Sequence, residues 1–544
     1  MKPAYVEANL GQYDSDVQAT LDELARTDVI RRIWLKDYTV WKPEPAQIID
    51  RLGWLTVTGC MQEQLVILQA FSQQVKDAGF RHVVLLGVGG SSLGAEVLRQ
   101  TFGIAPGYPE LIVLDSTLPE TIKAVTDIIE PARTLFLVSS KSGSTAEPLI
   151  LFRYFWGLVE KAAAKGKAGE NFVAITDAGT PLATLAEEKQ FRHIFANPAD
   201  VGGRYSVLSY FGLVPGELIG LDARLLLQRA ANMRKGCAPD SSRQENHCSW
   251  LGACLGTMAL KGRDKLTLIT SPSVCSFGLW VEQLIAESTG KEGKGIIPVA
   301  GEPLASPGHY GNDRFFVYLR LKTDNNSAID AAVNEIRASG QPVIILEMAD
   351  KYDLGAEFFR WELATAIAGA VIGINPFNQP NVQQAKDATE RFLKEFSSLA
   401  TYMPPLEGTG LLRDLLTKAV PDRYFAIMVY LPQTPSMDAA LTELRQKVME
   451  RHHIATTLGY GPRFLHSTGQ LHKGGTNSGL FLQLTSSHET DVPIPGVPYT
   501  FGNVADAQAL GDREALRANG REVASIRLPA ADAASVKQLL AEVC

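Results

Sequence analysis

From Arg81 onward, short runs of β-branched residues and leucine alternate with stretches of helical composition. The runs are VVLLGV (83–88), LIVLD (111–115), TLFLVSS (134–140), NFVAITD (171–177) and HIFAN (193–197). Each is apolar at consecutive positions, not at every second one. That pattern belongs to parallel strands buried on both faces, with the intervening helices as the cover. The reading is a doubly wound α/β domain over residues 50–235. KLTLITSP (265–272), IIPVAG, RFFVYLRL and QPVIILEM repeat the theme and predict a second such domain over 236–398. Residues 1–49 read as an N-terminal helical segment. After MPPLEG (403–408) the character changes. YFAIMVYLP, a helix at 435–451, GLFLQLT and VASIRLP predict a small C-terminal α+β domain over 399–544, with the proline-rich VPIPGVPYTFG as a loop.

A chain of 544 residues has room for these units, each with its own core. Hydrophobic residues make up 45% and charged residues 20%, and the net charge of −7 argues against a general nucleic-acid binder. No apolar run reaches the length of a membrane span, and MKPAYVEANLGQYDSD lacks the apolar core of a secretory signal. The six cysteines (Cys60, Cys237, Cys248, Cys254, Cys275 and Cys544) show no CxxC pair and no metal-ligand spacing. They predict reduced, mostly buried thiols in a cytoplasmic protein.

The stretch SSKSGSTAEP (139–148) ends a predicted strand and opens a predicted helix, where open α/β sheets bind ligands. A helix N-terminus attracts anions through its unpaired N–H groups and partial positive charge. Ser140, Ser142, Ser144 and Thr145 add hydroxyls, Lys141 adds a charge, and Gly143 permits close backbone approach. A phosphate monoester fits this set. Helix capping alone is the plainer alternative, although one hydroxyl suffices for a cap. GVGGSSLG (87–94) places a second glycine- and serine-rich turn after the first strand. It lacks the third glycine of a dinucleotide fingerprint at the required spacing, although Asp115 stands roughly where a ribose ligand would be. Two such turns in one sheet suit a single sugar phosphate better than a dinucleotide.

In sequence, GVGGSSLG followed by VSSKSGSTAEP resembles the first sugar-isomerase (SIS) domain of glucose-6-phosphate isomerases. DVGGRYSVLS (200–209) resembles that family's GGRxS motif. EQLIAESTGK (282–291) resembles the helix bearing its catalytic glutamate, and NPFNQPNVQQAK (375–386) resembles its NPFDQxGVExxK signature. The four motifs occur in the family's order across about 80–390. The resemblance implies interconversion of glucose 6-phosphate and fructose 6-phosphate through an enediol, without a metal or organic cofactor, at a site between two SIS domains. It implies Glu287 as the base, Arg204 as the cation beside the enediolate, and Lys386 and Gln379 on the substrate. Ser91, Ser140, Lys141, Ser142 and Thr145 fall on phosphate-loop positions. It also implies a homodimer, since the family builds its site at a subunit interface. Glu282, off the face of Glu287, reads as structural.

The family also supplies a ring-opening histidine after a GEPxxxxGQH-like segment. Here GEPLASPGHYGNDRFFVYL (301–319) aligns Arg314 with that position, with His309 five residues earlier. An arginine is no acid–base group at neutral pH. The C-terminal GYGPRFLHSTGQLHKGGTNSG (459–479) resembles the tail of fused transaldolase–isomerase proteins, as does IWLKDYTVWKP (33–43). No strand bears a buried lysine in a barrel pattern, so no transaldolase activity is expected. His309, His466 and His472 are therefore the candidates for ring opening, and for the C-terminal loop a structural or subunit-contact role stands beside that reading. Two functional alternatives remain: an isomerase of wider sugar-phosphate range, and a non-catalytic sugar-phosphate-binding protein.

Overall fold

The computed structural model describes residues 6–241, 246–398 and 410–543. Its first strand, β1 (Val6–Asn9), lies within the segment expected to be helical, ahead of the helices Asp14–Arg26 and Val29–Trp34. VEAN is too short and too polar for its pattern to mark a strand. It takes its conformation from a neighbouring edge.

The first sheet contains β2 (His82–Leu86), β3 (Glu110–Leu114), β4 (Thr134–Ser139), β5 (Phe172–Asp177) and β6 (His193–Asn197), in the order β3-β2-β4-β5-β6 with every pair parallel. All six residues of central β4 are buried, as its unbroken apolar run requires. The second sheet contains β7 (Lys265–Thr270), β8 (Ile297–Ala300), β9 (Arg314–Leu321) and β10 (Val343–Met348), in the order β1-β10-β9-β7-β8. Only β1 runs antiparallel. Helix Leu354–Ile372 is buried over almost its whole length between the helices Ala223–Gly236 and His247–Leu260. A hydrophobic core built around these helices runs from the first sheet to the second.

The C-terminal unit contains β11 (Tyr424–Val429), β12 (Ala455–Tyr460), β13 (Gly479–Thr485) and β14 (Glu522–Arg527) in the order β12-β11-β13-β14. All its pairs are parallel, and helices lie between successive strands, so it is α/β and not α+β. Parallel pairing needs a crossover, and the helices Pro435–His452 and Phe501–Ala518 provide two of the three. β12, read as ATTLGY, carries too little apolar signal to stand out in the sequence. The proline-rich loop packs Val492 and Ile494 into the core of the first sheet, which docks the third unit on the first. The unit boundary expected at residue 399 falls outside the described residues.

Cys237 and Cys248 form a disulfide, contrary to the expectation of six reduced thiols; Cys60 and Cys275 are exposed and Cys254 is buried. Among the described residues no helix is long and apolar enough to cross a membrane.

Candidate active site

Arg204 sits on the single turn Gly203–Tyr205, buried between the first two sheets. Its guanidinium is held on every side. Nε donates to Ser288 Oγ (2.8 Å), Nη1 to Gln379 Oε1 (2.9 Å), and Nη2 to the carbonyls of Pro376 (2.7 Å) and Asn378 (3.2 Å). Glu287 Oε1 lies 3.3 Å from Nη1. The GGR turn, the glutamate helix Phe277–Thr289 and the NPFNQ segment thus converge on one cation, although 83 and 175 residues separate Glu287 and Gln379 from it in sequence. Lys291 fixes the same segment by donating to the Asn375 carbonyl (2.8 Å) and to Asn378 Oδ1 (3.0 Å). Burial, aided by Arg204, pushes the Lys291 ammonium well below its ordinary pKa.

The turn after β2 packs directly on this centre. A Cβ on Gly90 would collide with the Gly203 carbonyl, so only glycine lets the two turns touch. Gly89, at φ +57°, faces the His466 carbonyl. Gln283, one helical turn before Glu287, joins the same group by donating to Glu287 Oε2 (3.0 Å) and to the His466 carbonyl (2.8 Å).

In the loop after β4, Ser140 is buried and donates to Thr145 Oγ1 (3.0 Å). Ser142 Oγ accepts from Ser144 N (3.3 Å) and Ser144 Oγ (3.1 Å). Thr145 is the N-cap of helix Ala146–Ala162, but its side chain makes no capping bond. Capping alone therefore does not account for these hydroxyls. Lys141 turns away from the helix end: it ion-pairs with Asp177 and donates to the Ala199 carbonyl (2.8 Å). Ser91 is half-buried on the Gly89–Ser91 turn, and its carbonyl accepts from Ser139 Oγ (3.0 Å).

A cavity of about 170 Å³ opens beside the loop, walled by Ser144 and Thr145, by Lys386 on helix Val382–Ser398, and by His466, Lys473 and Gln508 of the C-terminal unit. Glu147, in the first turn of the helix after the loop, completes it. His466 Nε2 and Gln508 Nε2 each stand 2.8 Å from Glu147 Oε1. Burial opposes ionisation of Glu147, yet His466 and, more distantly, Lys386 hold its carboxyl down to about 2. Lys473 is buried in an ion pair with Asp512.

Of the three candidate histidines, His466 alone lines this cavity. His472 packs on Phe481 (5.0 Å between rings), and burial pushes its pKa far down, so it stays neutral in a core. His309 bonds Ser306 Oγ (2.8 Å) and stacks on His453. Arg314 is fully buried and bidentate to Glu302 (2.8 and 3.1 Å), which also accepts from Thr456 N across the junction with the C-terminal unit (2.7 Å). Asp115 takes a bidentate pair from Arg463 (2.6 and 2.9 Å), three residues before His466. It anchors the C-terminal loop. Glu282 is buried, and burial pushes its carboxyl up to about 8.

Glu147, Gln283 and Gln508 were missed from sequence. Glu147 stood in plain view within STAEP, but helix starts commonly carry an acid, and its partner lies 319 residues away. No local signal points to Gln508.

The chain matches the phosphoglucose isomerase family over residues 66–296. It is 31% identical over 381 residues to the glucose-6-phosphate isomerase of Staphylococcus saprophyticus, an alignment spanning 62% of this chain and 85% of that protein. It is 29% identical over 388 residues to the Clostridium novyi protein of the same name, with the same coverage. In fold it is similar to a hypothetical protein of Thermus thermophilus (TM-score 0.60, 23% identity, 72% of this chain and 100% of that one). It is also similar in fold to a glucose-6-phosphate isomerase of Chlamydia trachomatis (TM-score 0.60, 18% identity, 74% and 89%). With the four motifs gathered around Arg204 and relatives aligned over most of their length, the chain belongs to the glucose-6-phosphate isomerase family.

Proposed function

We propose that this chain interconverts glucose 6-phosphate and fructose 6-phosphate with Glu287 as the proton-transfer base and His466 as the ring-opening acid. The observation that carries the reading is the convergence of Glu287, Arg204 and Gln379 in one cluster and of Glu147 and His466 across the junction beside it, the two bridged by Gln283. In ring opening the C1–O5 bond breaks. O5 takes a proton from the His466 imidazolium, and O1 releases one to water, leaving an aldehyde at C1. Glu147 holds Nε2, so exchange with the sugar falls to Nδ1, and the carboxylate stabilises the imidazolium.

Glu287 then takes the C2 proton. The electron pair forms the C1–C2 double bond, and negative charge collects on O1. Arg204, fixed by four acceptors beside the carboxylate, stabilises that charge without reorganising. Glu287 returns the proton to C1 while the O2 proton passes to O1, which gives the ketose. Ser140, Ser142, Thr145 and the helix N-terminus hold the phosphate, with Ser91 on the adjoining turn and Lys386 on the facing wall. Lys141 supports the loop through Asp177.

His466 belongs to this chain's own C-terminal unit, so the proposed chemistry calls for no second subunit at the site, whether or not the chain forms a homodimer. We expect no cofactor and a cytoplasmic location, where phosphorylated sugars are held. A coupled assay on fructose 6-phosphate, with and without chelator, tests the reading. Turnover indifferent to chelator is expected, and no turnover overturns it.

A further inference from the structure

His466 and Glu147 do not stand alone. Gln508, on helix Phe501–Ala518 of the C-terminal unit, donates from Nε2 to the same Glu147 oxygen that His466 contacts. Its other end is also fixed, because Thr117 Oγ donates to Gln508 Oε1 (2.7 Å). Thr117 is fully buried, Gln508 is 5% exposed and Glu147 is 7% exposed. The Glu147 carboxylate only accepts, so Nε2 must face it and Oε1 is left for the Thr117 hydroxyl. A flipped amide would set its oxygen against the carboxylate and lose that bond.

The row Thr117–Gln508–Glu147–His466 alternates between the first unit and the C-terminal unit, crossing their junction three times. It meets the Arg204–Glu287 centre through Gln283, whose Nε2 donates both to Glu287 and to the His466 carbonyl. Through the imidazole it reaches the proposed ring-opening chemistry.

Resting on the reading of His466 as the ring-opening acid, we infer that Gln508 is a positioning residue for ring opening, fixing the Glu147 carboxylate and hence the imidazole, with Thr117 holding the far end of its amide. Gln508 acts on the cyclic substrate and not on the proton transfer between C1 and C2. Second-layer hydrogen bonds of this kind commonly matter tenfold or more for the group they orient.

The test compares two substrates of the intact protein: glucose 6-phosphate, which must open, and a tetrose 4-phosphate, which has no free hydroxyl to close a ring. Gln508→Leu keeps the volume and removes the donor. Its kcat on glucose 6-phosphate should fall at least about tenfold further than its rate of solvent-deuterium exchange into the tetrose phosphate. Thr117→Val should show the same split, smaller in size, and Thr117→Ser should restore it. Equal losses on both substrates, or no loss on either, overturn the inference. His466→Asn run in parallel separates the two levels. If it also lacks the split, the histidine reading has failed. If it shows the split and Gln508→Leu does not, only the role of Gln508 has failed.

Discussion

The imidazole of His466 lies 2.8 Å from the carboxylate of Glu147, across a junction between two parallel-sheet units and 319 residues of chain. Glu147 begins the helix that follows the hydroxyl-rich loop, and His466 ends a turn held in place by the Arg463–Asp115 pair. The pair joins a C-terminal unit to a sugar-isomerase core at the wall of the cavity that the loop itself lines.

Replacing His466 by Asn should lower kcat on glucose 6-phosphate by about 10²–10³, the usual worth of a positioned acid–base group, with KM changed little. A coupled assay measures both. An unchanged kcat would return the C-terminal loop to a structural role.

If the C-terminal unit completes the site within one chain, specific activity should stay constant on dilution, even where light scattering or mass photometry finds only monomers. A fall in activity that tracks dissociation would place a needed group on a second subunit.

The loop proposed to hold the phosphate predicts a split between its members. Thr145→Val should raise KM for the sugar phosphate about tenfold or more through loss of a hydroxyl at the helix end, with kcat less affected. Lys141→Ala should act through its partner. It strands the Asp177 carboxylate, which burial already pushes above its ordinary pKa, so thermal stability should fall. Asp177→Asn in the Lys141→Ala background should recover part of that loss. Thermal melts and KM values for the set decide.

His488 ties the two units together: Nδ1 meets Glu120 at 3.0 Å and Nε2 lies 3.6 Å from Asp506. Burial opposes its charge, but the two carboxylates raise its pKa from the ordinary 6.5 to about 9. A histidine raised on folding stabilises fully below 6.5 and loses that contribution as pH rises to about 9. His488→Gln should therefore cost up to about 3 kcal/mol at pH 6 and nothing near pH 10. Urea melts across that range would show the difference closing. A pH-independent cost would mean that the ion pairs contribute nothing.

Much of the core was legible because it is written locally. Buried parallel strands must be apolar at every position, so the runs from Val83 to Asn197 announce the first sheet, and the turns that follow them lead to the candidate site. Arg204, Glu287 and Gln379 were legible for a different reason: each sits in a short motif whose order matches a known family. β1 and β12 were not, since edge strands of four to six residues with polar content borrow their conformation from a neighbour. The parallel pairing of the C-terminal sheet was likewise hidden, because strand runs alone do not give their direction. Lys141 read as a phosphate cation because sequence shows a charge but not its partner, and Asp177 lies 36 residues on. Glu147 and Gln508 acquire meaning only across the unit junction, where no local pattern reaches.

Deuterium incorporation from solvent tests the central claim most directly. With fructose 6-phosphate in D₂O, the wild-type protein should form glucose 6-phosphate carrying deuterium at C2, followed by NMR. Glu287→Gln should collapse both conversion and exchange by at least about 10³ while still binding the sugar phosphate. Absence of conversion by the wild type, or conversion and exchange that survive loss of the Glu287 carboxylate, would contradict the account.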